Sequence, residues 1–291
     1  MPTTVLGVKI DTVSHTEALE KVAGFLSSQG QFKIFTPNPE MLVKAQKDEY
    51  FKKVLNSGDL NLCDGFGLWL ALRLSFRPKR SGVEKSRLDG RDSSTRLGMT
   101  IERIAGVDFM LDICALAEKE NKLVYLLGSR SDEVVKKTAE NLQKQFPKLK
   151  IVGGDKGPAI KENVELRMTN DESIDNVTIE QLNNESNLVI HQQENDRIIN
   201  QIKQTEPSIV FVAFGMGKQE KWIYENISKL PSVKIAMGVG GAFDYLSGAV
   251  PRAPLLIRKI GLEWVYRLLR QPKRAGRVFN ATIKFIFYGI R

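Results

Sequence analysis

The sequence is poor in the residues that staple or metallate a fold. Among 291 residues there are two cysteines, Cys63 and Cys114, and two histidines, His15 and His191. Two thiols cannot build a disulfide framework, and no Cys/His group has zinc-ligand spacing. Gly and Pro number 23 and 11, an ordinary share that excludes collagenous, low-complexity or disordered chains. No stretch approaches the ~18–20 apolar residues of a membrane span. The first eleven residues lack a basic region followed by an apolar run, so no secretory signal is read there. A cytosolic protein with reduced thiols is expected, long enough to bury its core without covalent help. The length suits one large domain or two small ones.

Positive charge is in excess, but unevenly. The formal net charge is +9, and residues 252–291 hold ten Lys/Arg against one acid, Glu263. A neutral body therefore carries a basic tail, which sets the expected boundary between 1–251 and 252–291.

Along the body, short apolar runs alternate with helical patterns. Residues 32–35, 60–63, 123–127, 151–152, 209–214 and 235–239 read as strands, several apolar nearly throughout, as strands covered on both faces are. Residues 40–55, 67–74, 107–119, 133–145 and 219–228 read as helices; Ser131 or Asp132 suits the N-cap of the fourth, and Pro147 closes it. The alternation predicts an α/β domain, Rossmann-like, with a mostly parallel sheet and helices on both faces. Two polar segments read as insertions, 77–100 and 161–197, the second with nine acids and three bases.

Five loops follow predicted strands: Thr36-Pro37-Asn38-Pro39-Glu40, Asp64-Gly65-Phe66-Gly67, Gly128-Ser129-Arg130, Gly215-Met216-Gly217-Lys218-Gln219-Glu220 and Gly238-Val239-Gly240-Gly241-Ala242-Phe243-Asp244. Open parallel sheets bind ligands beyond the carboxyl ends of their strands. Small residues there let backbone N–H groups approach a phosphate. Together the loops describe a site for a phosphorylated ligand.

Known phosphate signatures are missing. There is no G-x-x-x-x-G-K-[ST], and neither glycine cluster has dinucleotide-fingerprint spacing. No Asp-x-Asp occurs, so the usual cation grip of a nucleotide-sugar enzyme is lacking; a bound diphosphate would be met by backbone amides and arginines. Asp64 is the candidate base for a sugar hydroxyl, or else the N-cap of the following helix. Thr36 and Asn38 can bond sugar or phosphate, or form an Asx-type turn. Gln219 reads as a neutral donor or an ordinary first-turn residue. His15 and His191 lie outside the loops and read as solvated surface.

The tail presents two surfaces. At 100° per residue, Arg267, Arg270, Arg274 and Arg277 fall within an arc of about 80°. Phe279, Ile283, Ile286, Phe287 and Ile290 share another of roughly 100°. Such a basic amphipathic segment suits an anionic membrane surface, or a helix docked on its own core. With no interleaved basic and aromatic groove, nucleic acid is disfavoured as a partner.

These residues resemble the WecG/TagA/CpsF family of bacterial glycosyltransferases. The matching stretches begin at Thr36-Pro37-Asn38 and Asp64-Gly65-Phe66-Gly67. They continue through Arg103-Ile104-Ala105-Gly106-Val107-Asp108, Leu126-Leu127-Gly128, Gly215 to Glu220 and Gly238 to Asp244. The last are Arg252-Ala253-Pro254 and Gly261 to Leu268. The resemblance implies a Rossmann-like domain with a helical C-terminal appendage. It implies inverting transfer, needing neither metal nor cofactor, from a UDP-sugar to a polyprenyl-diphosphate-linked sugar at the inner face of the cell membrane. The best-known activity moves N-acetylmannosamine onto undecaprenyl-diphosphate-N-acetylglucosamine in wall teichoic acid synthesis.

By the same resemblance Asp64 is the base, and Thr36, Asn38 and Gln219 line the substrate pocket. Arg103, Gly128, Gly215 and Gly240 bind substrate, and Asp244 belongs to the nucleotide loop. Arg267, Arg274 and Arg277 close over the diphosphate. The two insertions depart from the family pattern and bear on the choice of sugar. The rival readings are a nucleotide-dependent oxidoreductase, marked by NAD retention, and a non-catalytic peripheral membrane protein. Donor sugar and oligomeric state, a homo-oligomer included, stay open.

Overall fold

A computed structural model describes residues 2–75, 102–162, 188–259, 263–270 and 284–285. Six strands form one sheet: β3 (Phe32–Phe35), β4 (Leu60–Asn61), β5 (Leu123–Gly128), β6 (Lys150–Asp155), β9 (Ile209–Ala213) and β10 (Ile235–Gly238). Their order is β4-β3-β10-β9-β5-β6, and every pairing is parallel. All six correspond to strands predicted from apolar runs. The reason is visible in β9, whose five residues are all buried. Ile209 and Phe211 face one core, Val210 and Val212 the other. A strand clad on both sides needs no polar alternation.

Helices clad both faces, as the α/β reading requires. One face carries α2 (Pro39–Ala45), α3 (Glu49–Asn56), α4 (Phe66–Ser75), α7 (Gln192–Thr205) and α8 (Lys218–Asn226), packed through Leu42, Phe51, Leu68, Ile198 and Trp222. The other carries α1 (His15–Ser27), α5 (Gly106–Lys119), α6 (Asp132–Gln145) and α9 (Ala242–Leu246), packed through Val22, Phe109, Leu142 and Phe243. The expected cap of α6 is Ser131, whose side chain accepts from the Val134 N–H. After β9 the chain enters the first face and after β10 the second. That divergence opens a crevice at the carboxyl ends of the central strands.

The structure departs from or adds to the sequence reading at four places. The predicted helix 40–55 is two helices, because Asp48 leaves the helical path to cap α3 through the Phe51 N–H (2.8 Å) and to bind the buried Lys221 Nζ (2.8 Å). The insertion 161–197 does not run to 197. Residues Leu188–Ile190 form β8, antiparallel to β7 (Ile160–Glu162), and α7 begins at Gln192. Inside α7, Asn195 is buried and accepts from Trp222 Nε1 at 2.7 Å, so this acidic stretch ends in core. An N-terminal hairpin, β1 (Pro2–Val5) with β2 (Val8–Asp11), precedes α1, and neither it nor α1 was predicted. Finally, His15 is half-exposed but paired: its Nε2 lies 2.8 Å from Asp112 Oδ2, and its ring stands edge-on to Phe109. The insertion 77–100 lies outside the described residues.

Cys63 and Cys114 are free and buried, and burial pushes both thiols up to about 12. No helix among the described residues is long and apolar enough to cross a membrane. Beyond the sheet, α10 (Leu255–Lys259) and α11 (Glu263–Arg270) follow. Arg252 grips Asp108 of α5 with two bonds, 2.6 and 2.8 Å, and Arg103 Nη2 donates to the Arg258 carbonyl at 2.7 Å. Phe285 is buried against the α2–α3 core. Leu255 and Leu256 are exposed.

Candidate active site

Strand ends β5, β9 and β10 enclose a pocket of about 370 Å³. Its lining includes Gly215 and Gly240, both predicted, and Asp244, whose Oδ2 lies 3.5 Å from Arg130 Nε. Arg130, Lys156 and Lys218 also line it, so three cations face one carboxylate. Lys218 is steered by a 2.9 Å bond from its Nζ to the Ile160 carbonyl. This balance of charge, beside three glycines, suits a polyphosphate.

Beneath the pocket, two side chains join its loops. Gln219 is buried; its Oε1 accepts from the Gly240 N–H at 2.9 Å and its Nε2 donates to Glu220 Oε1 at 2.7 Å. Glu220 Oε2 accepts from the Gly217 N–H at 2.7 Å. A Cβ at position 238 would stand 2.7 Å from Gln219 Nε2, so glycine there is what lets Gln219 cross to the β10 loop. Glu220 is completely buried, which pushes its carboxyl up to about 6 despite the hydrogen bonds it accepts. Gly128, at φ +106°, packs its backbone on β9 so closely that a Cβ would lie 2.8 Å from the Ala213 carbonyl carbon. It shapes the pocket's wall rather than lining it.

A second group gathers at the ends of β3 and β4. The Asp64 N–H donates to the Pro37 carbonyl (3.1 Å), and Asp64 Oδ1 accepts from the Gly65 N–H (2.7 Å). That local bond differs from the N-cap alternative raised for the following helix. A Cβ at Gly65 would touch Pro39 and Asn38, so the two loops lie against each other. Asn38 Oδ1 caps α2 through the Met41 N–H at 3.0 Å, which leaves its amide N–H groups for other bonds. Thr36 is buried and packs at 3.3 Å against the position a Gly106 Cβ would take, where α5 begins.

Thus Thr36, Asn38 and Asp64 come together, and Gly215, Gly240 and Asp244 come together, side by side on one sheet edge. The end of β4 lies two strand spacings from that of β10, about 10 Å. Arg103 stands near the first group but holds the Arg258 carbonyl. Arg267 is on α11; Arg274 and Arg277 lie outside the described residues. Sequence reading did not single out Lys156, Lys218 or Glu220. The last two lie inside a quoted motif, whereas Lys156 follows β6 with no local signal. His191 is exposed and its backbone caps α7.

Comparisons with known proteins give the family. The chain is 29% identical over 247 residues to the N-acetylglucosaminyldiphosphoundecaprenol N-acetyl-beta-D-mannosaminyltransferase of Bacillus subtilis (strain 168), covering 85% of this chain and 75% of that one. It is 26% identical over 281 residues to the protein of the same name from Staphylococcus aureus (strain MW2), covering 96% and 89%. The profile of the glycosyl transferase WecG/TagA/CpsF family matches residues 3–90 and 93–291, nearly the whole sequence. With a match of that extent, and a parallel α/β sheet consistent with it, the chain belongs to the WecG/TagA/CpsF family of glycosyl transferases.

Proposed function

We propose that the protein transfers N-acetylmannosamine from its UDP donor to undecaprenyl-diphosphate-linked N-acetylglucosamine, with inversion and without a metal. The carrying observation is the placement of a cationic pocket beside a carboxylate. The near wall of the polyphosphate-sized cavity, at the end of β10, lies about 10 Å along the same edge from the end of β4 and Asp64, with Lys218, Arg130 and Lys156 at the ends of the strands beyond. A nucleotide-sugar spans that gap, its diphosphate among the cations and its sugar toward Thr36, Asn38 and Asp64. The relatives' names supply the sugar and the acceptor.

In the reaction Asp64 takes the proton of the acceptor hydroxyl. The oxygen attacks the anomeric carbon on the face opposite the diphosphate. The bond from that carbon to the phosphate oxygen breaks, and UDP departs with the electron pair. Loop N–H groups and the three cations stabilise its charge, the role an oxyanion site plays. Gln219 acts here by holding the Gly240 loop in place.

Residues 252–291 form the appendage of a 1–251 body. Their basic face, with Arg267, Arg274 and Arg277, meets the diphosphate, and their apolar face rests on the inner surface of the cell membrane. The supports are the concentration of +9 in that segment and its two ties to the body near the site, Arg252 to Asp108 and Arg103 to Arg258. The test is UDP release from UDP-N-acetylmannosamine with the lipid acceptor embedded in anionic vesicles. Release is expected to require the acceptor, to persist in EDTA and to weaken as salt rises. A strict metal requirement, or release indifferent to acceptor and salt, contradicts the reading.

A further inference from the structure

Ser129 is the residue at which β5 hands the chain to the pocket. Its φ is +123°, a conformation that favours glycine, and the preceding Gly128 is also at positive φ. The close packing of Gly128 on the β9 backbone fixes the path of the loop, so residue 129 takes what conformation is left. A non-glycine residue held there costs stability, and such positions cluster at ligand clamps. Glycine would follow the same path without strain. Serine adds one oxygen.

That oxygen is unusual in itself. Ser129 Oγ is buried and, among the described residues, has no hydrogen-bond partner, whereas buried hydroxyls are nearly always paired. Ser129 lines the same pocket as Arg130, Lys156 and Lys218. A strained backbone and an orphaned hydroxyl at one residue in a cationic cavity have a common explanation in a bound anion.

We infer that Ser129 is a donor-binding residue whose hydroxyl donates a hydrogen bond to a phosphate oxygen of the nucleotide diphosphate. The inference rests on the donor proposed above. Three cations against Asp244 make phosphate, rather than a ribose hydroxyl, the partner. No sequence motif carries this: among the strand-end loops, Gly128-Ser129-Arg130 was singled out for its glycine.

The test uses the full chain as wild type, Ser129→Ala and Ser129→Gly, with UDP binding followed by calorimetry and uridine by competition. Alanine keeps the strained backbone and loses the oxygen; glycine loses both. UDP is expected to bind about tenfold more weakly to each variant, with uridine affinity unchanged. Ser129→Gly is expected to melt above Ser129→Ala. Wild-type UDP affinity in both variants overturns the inference and leaves the donor reading standing. An equal loss for uridine moves the hydroxyl to the nucleoside and overturns the phosphate assignment. A wild-type protein that binds no UDP overturns the donor reading, and this inference with it.

Discussion

Gln219 is bonded to its own protein at both ends of its amide, to Gly240 and to Glu220. The motif placed it at the right strand end, yet its burial and partners arise from the close approach of two loops far apart in sequence. Asp64, Thr36 and Asn38 were legible because each sits one to three residues beyond an apolar run. Lys156 was not, since its place depends on β6 reaching the same edge. Glu220 offers a pH prediction. Its ordinary value of 4.5 is raised to about 6 by burial, so the folded state binds more protons between the two. The stability this contributes is present below 4.5 and lost as pH rises through about 6, of order ~2 kcal/mol. Urea unfolding of wild type and Glu220→Gln from pH 4.5 to 7 is expected to show the wild type losing that increment relative to the variant. Parallel curves across the range contradict it.

At the scale of elements, the sheet was readable because its strands are apolar on both sides, and the helices where one face is. The boundary at Asp48 was not, because a helix-compatible pattern is interrupted there by a cap and by an ion pair with Lys221, a residue distant in sequence. The same applies to α7, whose acidic first turn hides the buried Asn195 and Ile198. The hairpin β1–β2 has an outer strand with no buried residue, and so no apolar signal. The appendage hangs on a bidentate pair. Arg252 is mostly buried and Asp108 half-exposed, which places the pair between a screened surface bridge and a buried one. Arg252→Ala is expected to speed hydrogen exchange at the Arg258 amide about tenfold, near 1.4 kcal/mol of local stability. The sheet amides are expected to stay unchanged. Unaltered exchange across 255–258 would show that other contacts hold α10.

Across the whole molecule, the sheet's topology does the assembling. Because all six strands run parallel, the loops that follow them come to one edge. There the order of strands sets a cationic pocket at β5, β9 and β10 beside a carboxylate at β4. The basic excess lies apart from this, in the last forty residues, and two arginine ties place the start of that segment near the site. The account's central claim is that the two halves of the edge divide the labour, one binding the nucleotide and the other removing a proton. The most direct measurement compares single-turnover sugar transfer with UDP affinity for Asp64→Asn. Transfer is expected to fall by at least ~10²-fold while the Kd for UDP stays within about twofold. Near-full transfer by Asp64→Asn would contradict the claim.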